Sequence, residues 1–249
     1  MRIVLVVQNL SKRYPGFLLD NVSFHLKPGR IMGLIGRNGA GKTTTLKSIL
    51  NLVKPDNGTV TMFGRDFYAN EESCKQQIGV VLGGIDFYSH KKLTHITAVT
   101  KRFYQEWDED AYQKYLKMFS LDPEKRVKEL SAGMQVKFMV ALALSHNAKL
   151  LIFDEPTSGL DPVSRDDLLN LFRQLVKDGS RSILYSTHIT SDLEKRADDI
   201  TYIKDGKLLR SAEKSQFIES FQFLKELDEE GPLTLEEIMI RTERRTYDV

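Results

Sequence analysis

The 249 residues are 41% hydrophobic and 28% charged, ordinary values for a globular chain that forms one large domain or two small ones. Lys and Arg number 36 against 34 Asp and Glu, a formal charge of +2 that gives no case for a general nucleic-acid binder; the single cysteine, Cys74, excludes an internal disulfide and fits a reducing compartment. The longest apolar runs, 3–7 and 139–144, fall short of the roughly 18 residues that span a bilayer, and the first is shorter than the about 7–15 of a signal-peptide core. A cytosolic chain is expected, reaching a membrane through a partner or a surface.

In chain order, residues 3–26 read as antiparallel strands around the turn Tyr14-Pro15-Gly16. Residues 31–36 form an apolar strand, followed by a glycine-rich loop and a helix over 43–52, and 78–82 is a second buried strand. From 86 to 147 the strand signal disappears. Phe103, Tyr104, Trp107, Tyr112, Tyr115, Leu116 and Phe119 recur there at near-helical spacing, so a helical insert is expected. Its aromatics either form its own core or in part face a partner. Residues 150–154 and 182–186 are buried strands, and 162–176 is a helix with Asp161 as N-cap and Pro162 at its first position. After Gly206 the chain turns charged and weakly amphipathic, with a Gly231-Pro232 break and a short helix near 235–240. Strands alternating with helices predict a parallel sheet covered on both faces.

Gly36-Arg37-Asn38-Gly39-Ala40-Gly41-Lys42-Thr43 fits G-x-x-x-x-G-K-[ST] between a strand and a helix. Glycines let the backbone curl so that its N–H groups cradle phosphate oxygens, and the helix behind aims its positive end at the same place. Lys42 adds charge on the β- and γ-phosphates, and the Thr43 hydroxyl can complete a Mg²⁺ shell. With Thr44, these residues make up the candidate site for a nucleoside triphosphate. The strand 150–154 ends in Asp154 and Glu155, and acids at the tip of a buried strand call for a cation. Asp154 would hold Mg²⁺ directly or through water; Glu155 could orient or deprotonate an attacking water. These two motifs suit a small kinase, a GTPase or a helicase equally well.

Leu130-Ser131-Ala132-Gly133-Met134 resembles the LSGGQ signature of ABC-type ATPases, and further family elements follow in order across essentially the whole chain. Tyr14 matches the aromatic that stacks on adenine, Ser158-Gly159-Leu160-Asp161 the loop after the acids, and His188 the switch histidine. The resemblance implies an α/β fold of the P-loop NTPase kind, with a central parallel sheet, an antiparallel β subdomain and a helical subdomain. It implies an ATPase domain over 1–211, with the helical subdomain inserted at about 86–147, and a C-terminal helical tail over 212–249. Ser131 and Gly133 lie where a helix begins, so a hydroxyl and free N–H groups point outward. In the family these bind the γ-phosphate of ATP held by a second ATPase subunit, the same chain or a related one.

Two departures stand out. Ala132 replaces the first signature glycine, adding a methyl that binding should tolerate. At the family's Q-loop glutamine stands Gly83, followed by Gly84; Asp86 nearby is either a substitute or an exposed loop acid. Trp107-Asp108-Glu109, residues 158–162 and Leu235-Glu236-Glu237-Ile238 look like the ATPase subunits of ABC-2-type exporters. The implied protein sits on the inner face of the cell membrane and energises a separate membrane-spanning permease, export favoured over import. Two alternatives are a soluble ABC ATPase of translation or DNA repair and an ATP-gated module without useful turnover. The tail either docks or steadies a dimer, or is a solvated appendage.

Overall fold

The computed structural model describes residues 3–82, 88–226 and 229–244. In chain order these carry β1 (Leu5–Tyr14), β2 (Phe17–Leu26), β3 (Ile31–Ile35), α1 (Lys42–Ile49), β4 (Asn57–Met62), β5 (Arg65–Asp66), α2 (Glu71–Lys75) and β6 (Ile78–Val81). Then come α3 (Leu93–Thr100), α4 (Glu109–Met118), α5 (Ala132–Ser145), β7 (Leu150–Asp154), α6 (Pro162–Val176), β8 (Ser182–Thr187) and α7 (Thr190–Arg196). β9 (Asp199–Lys204), β10 (Lys207–Glu213), α8 (Lys214–Glu219) and α9 (Leu235–Glu243) complete the chain.

Among the described residues the strands join in one sheet, ordered β5-β4-β1-β2-β10-β9-β3-β8-β7-β6. β9, β3, β8, β7 and β6 run parallel, which is the expected central sheet. β1, β2, β4 and β5 form the expected antiparallel unit, with the first turn at Pro15-Gly16. The two parts meet through β10, antiparallel to β9 and parallel to β2.

The central strands read as unbroken apolar runs because both sheet faces are covered. On β3, Ile31 and Ile35 enter one core while Met32 and Leu34 enter the other; on β7, Leu151 and Phe153 oppose Leu150 and Ile152 in the same way. The first core lies under α5, α6 and α7, and the second between α1 and the antiparallel strands. The helical insert has a third core of its own around Leu93, Tyr112, Leu116, Phe138 and Leu142. Tyr112 is buried there with Trp107 and Phe119 packed against the cluster, whereas Phe103 is 70% exposed. Trp107, Tyr112 and Phe119 therefore serve the insert's own core, while Tyr115 packs against the first core and Tyr104 stacks on His146.

The end of the chain departs from expectation. The division at 211/212 falls inside β10, a strand that the charged sequence concealed: its positions are at most partly buried, so there is no apolar run. Phe217, Phe221, Leu233, Leu235 and Ile238 belong to the same core as Phe153 and Tyr185. The segment is packed, not a solvated appendage. Thr234 starts α9 as the N-cap of a capping box with Glu237.

Candidate functional site

At the end of β3 the chain leaves the sheet through Gly36, where a Cβ would stand 2.2 Å from the carbonyl oxygen of Ile203 on β9. The loop then turns through Gly39 and Gly41 at φ 83 and 111, left-handed angles that glycine adopts without strain. Gly41 is the N-cap of α1 and offers no side chain to its first amides, which leaves N–H donors free to meet an anion. The loop is pinned from behind, where Gly206 N–H donates to the Ala40 carbonyl at 2.9 Å.

A cleft of about 260 Å³ opens over this loop, lined by Phe17, Arg37, Asn38, Gly39, Gly41, Lys42, Thr43, Thr44 and Glu155. Lys42 is buried, at 5% exposure. Its ammonium donates to the Gly36 carbonyl at 2.8 Å and the Arg37 carbonyl at 3.3 Å, and lies 3.1 Å from Glu155 Oε1. Gly36 and Ala40 do not form the wall; they shape the loop behind it. Phosphate-sized space faced by one lysine, two threonines and backbone amides can bind a polyphosphate.

The two acids are held differently. Asp154 closes β7, and its carboxylate accepts from Thr43 Oγ1 at 2.8 Å and Ser186 Oγ at 2.5 Å. The chain then reverses at Glu155, which takes φ 51. Its amide donates to Ser186, and its carboxylate reaches Lys42 on one side and His188 Nδ1, at 2.9 Å, on the other. Lys42, Thr43, Asp154, Glu155 and His188 thus form one connected set from three elements that sequence separates widely.

Thr43 and Asp154 bring a hydroxyl and a carboxylate together at the cleft, hard oxygen donors of the kind Mg²⁺ prefers. Among the described residues no cluster of three His, Cys, Asp or Glu could cage a metal alone. Such a pair fits an ion that completes its shell with phosphate oxygens and water.

Four expected residues stand apart from this cleft. Tyr14 ends β1, is 38% exposed and has the Lys12 ammonium 5.7 Å from its ring centre. Its cross-strand partner Phe17 forms the cleft wall instead. The signal for Phe17 was available: an aromatic on the far side of the Tyr14 turn. Ser131 is the exposed N-cap of α5, and its hydroxyl accepts from the Met134 amide at 3.3 Å. Gly133, expected to face outward, is buried, and a Cβ there would touch Leu160 and Ser164. The helix turns its second residue inward while its cap stays out, so the signature and the loop after the acids form a common surface. Asp161 caps α6 by accepting from the Val163 and Ser164 amides, and its bonds with Ser164 hold its carboxyl below the usual range. Gly83, Gly84 and Asp86 lie outside the described residues.

Residues 19–158 match the family model described as ABC transporter. The bacitracin transport ATP-binding protein of Bacillus licheniformis is 34% identical over 212 residues, covering 84% of this chain and 69% of that protein. A Nod factor export ATP-binding protein of Burkholderia orbicola is 33% identical over 219 residues, 86% of this chain and 72% of its own length. A solved ATP-binding subunit of an ABC transporter superposes with a TM-score of 0.82 at 26% identity, over 96% of this chain and all of that one. With a phosphate loop, paired acids and signature helix in a fold of this order, the chain belongs to the ABC transporter family, as an ATP-binding subunit.

Proposed function

We propose that the chain binds Mg²⁺-ATP over the loop around Lys42, hydrolyses it with Glu155 and His188, and drives export through a separate membrane-spanning permease. The observation that carries this is the connected set Lys42, Glu155 and His188, with Asp154 joined to Thr43 beside it.

Lys42 and the amides of Gly39, Gly41 and Thr44 grip the phosphates, while Asn38 lines the approach and Gly36 and Ala40 shape the loop from behind. Thr43 and Asp154 would hold Mg²⁺, which would supply positive charge against the phosphates. Glu155 accepts a proton from the attacking water, and His188, bonded to the same carboxylate, holds it in place and faces the γ-phosphate. Tyr14 and Phe17 flank the nucleobase side. Ser131 and Asp161 act on the ATP of a second ATPase subunit, with Gly133 seating the helix start against Leu160 and Ser164, so that two nucleotides are enclosed between two chains.

The permease docks on the helical insert, at an apolar cleft of about 350 Å³ between β6 and the helices α3 and α5. Leu82, Tyr88, Ile96, Tyr104 and Phe138 line it. Among the described residues no helix is long and apolar enough to cross a membrane, which suits a chain bound to the inner face of the membrane through its partner. The bacitracin-transport and Nod-factor-export relatives favour export over the soluble-ATPase reading.

The test is paired. Lys42→Ala is expected to lose ATP affinity by at least about 100-fold, and Ser131→Arg to bind ATP normally yet fail to dimerise with it. Unchanged ATP affinity in the first refutes the phosphate loop; an ATP-dependent dimer in the second refutes the shared site. Recovery from membranes without any multi-span protein refutes the permease.

A further inference from the structure

Ser186, on β8, stands two residues before the switch histidine in the stretch Ser186-Thr187-His188 and carries no role read from the sequence, yet it touches both acids. Its side chain is fully buried. The parallel register sets it directly opposite Asp154. Its hydroxyl donates to Asp154 Oδ1 at 2.5 Å, and the same oxygen accepts the Glu155 N–H at 3.0 Å. The Ser186 carbonyl accepts that N–H as well, at 3.2 Å.

A hydroxyl carries one proton. Given to Asp154, that proton leaves the lone pairs for the Glu155 amide, and each bond polarises the other. Asp154 is thereby clamped at both oxygens, by Ser186 on one and Thr43 on the other, which fixes the direction of its remaining lone pairs. Glu155 has a backbone need of its own. At φ 51 it sits in the left-handed region, which costs a side-chain-bearing residue on the order of 1 kcal/mol. The Ser186 bonds hold it there, and from there its carboxylate reaches both Lys42 and His188.

We infer that Ser186 is a positioning residue for ATP hydrolysis: one buried hydroxyl aims the Mg²⁺-binding carboxylate of Asp154 and holds the backbone of Glu155 in its working conformation. The inference rests on the roles proposed for Asp154 and Glu155. It differs from a merely satisfied core serine in what its loss should disturb.

The experiment uses the full chain with Ser186→Ala, Ser186→Thr and Lys42→Ala. ATP affinity is measured with a fluorescent analogue in EDTA; then the Mg²⁺ concentration that half-saturates the Mg²⁺-dependent change in binding is measured, with kcat and KM. Ser186→Ala should keep EDTA affinity within about 2-fold, raise the Mg²⁺ requirement about 10-fold and lower kcat about 10–100-fold, the usual size for losing an outer-shell partner. KM for ATP should move less than kcat, and Ser186→Thr should recover most of both losses. An unchanged Mg²⁺ requirement and kcat in Ser186→Ala overturn the inference. So does loss of EDTA affinity and melting temperature together in both variants, the mark of packing alone. If Ser186→Ala does not fold, Ser186→Cys decides, since a weak donor of similar size should give an intermediate Mg²⁺ requirement and a parental value refutes the role. Parental ATP affinity in Lys42→Ala would instead sink the reading of the cleft itself.

Discussion

Glu155→Gln should bind ATP more tightly than the parent chain. The Lys42 side chain is withdrawn from water, and its ammonium sits 3.1 Å from Glu155 Oε1. At an effective dielectric constant of about 20, the gross attraction at that distance is about 5 kcal/mol. Desolvation of both ions offsets most of this, and a net of about 1.5–3 kcal/mol is typical of a hydrogen bond to a charged group. Any phosphate that reaches Lys42 must exchange with or share this partner. The substituted amide oxygen would still accept from the ammonium, without the carboxylate's charge and worth about 1 kcal/mol, so the competition falls by about 0.5–2 kcal/mol. The carboxylate also repels the incoming phosphate, and its loss acts in the same direction. Affinity should rise roughly 2–30-fold, since about 1.4 kcal/mol is a factor of ten. Hydrolysis should cease. Equilibrium binding of a fluorescent ATP analogue, without Mg²⁺ to suppress turnover, reads the first effect; phosphate release reads the second. Weaker or equal binding by the variant would show that the Lys42–Glu155 pair does not compete with nucleotide, and near-normal phosphate release would remove Glu155 from catalysis.

Ile238→Ala, deleting a fully buried side chain of α9, should lower unfolding free energy by about 2–4 kcal/mol while ATP affinity is unchanged. A loss below about 1 kcal/mol in urea titration would mean that α9 is not part of the core. Gly206→Ala should be worse than an ordinary surface change: Gly206 has φ 78, and a Cβ would lie 1.8 Å from the Leu18 carbonyl oxygen. Its amide anchors Ala40, so both the melting temperature and ATP affinity should fall; an effect on neither refutes the coupling. His146 is buried against Tyr104, ring centres 3.6 Å apart, and burial pushes its imidazole from 6.5 down to about 4. Between those values the unfolded chain binds a proton that the folded chain refuses, so His146 costs stability as pH falls from 6.5 towards about 4. The advantage of the parent over His146→Gln in melting temperature should therefore shrink from about pH 7.5 to about pH 4.5. Parallel curves would contradict the burial.

What was legible in the sequence is what is local in the chain. The phosphate loop is eight consecutive residues, and its glycines, lysine and threonine announce their chemistry without knowledge of any neighbour. Asp154 and Glu155 follow directly on the strand that delivers them, and Asp161-Pro162 states the start of α6 in two residues. The expected strands at 150–154 and 182–186 read correctly because burial on both faces leaves few polar positions to confuse the run. Phe17, Ser186 and the inward face of Gly133 were missed for the opposite reason. Each acquires its meaning from a residue across the sheet or on another helix, Gly41, Asp154 and Ser164 respectively; for Phe17 the turn beside Tyr14 gave a local signal, whereas no spacing along the chain encodes the other two meetings.

The tail illustrates the same point at larger scale and explains why it is packed. A loop that must approach phosphate with bare backbone has little side chain with which to hold itself in shape. Gly36 lies so close to the Ile203 carbonyl that nothing bulkier fits, and Ala40 is fixed through the Gly206 amide, so the loop's support is the turn between β9 and β10. That turn is held in its own right from beyond: the Lys204 ammonium donates to the Thr242 carbonyl at 2.7 Å, and the Tyr202 hydroxyl donates to Glu243 at 2.8 Å, both at the end of α9. The stiffness of the phosphate loop therefore depends on a helix from the opposite end of the chain. Removing α9 should loosen nucleotide binding even where the remaining sheet stays folded, because the loop would keep its sequence and lose its backing.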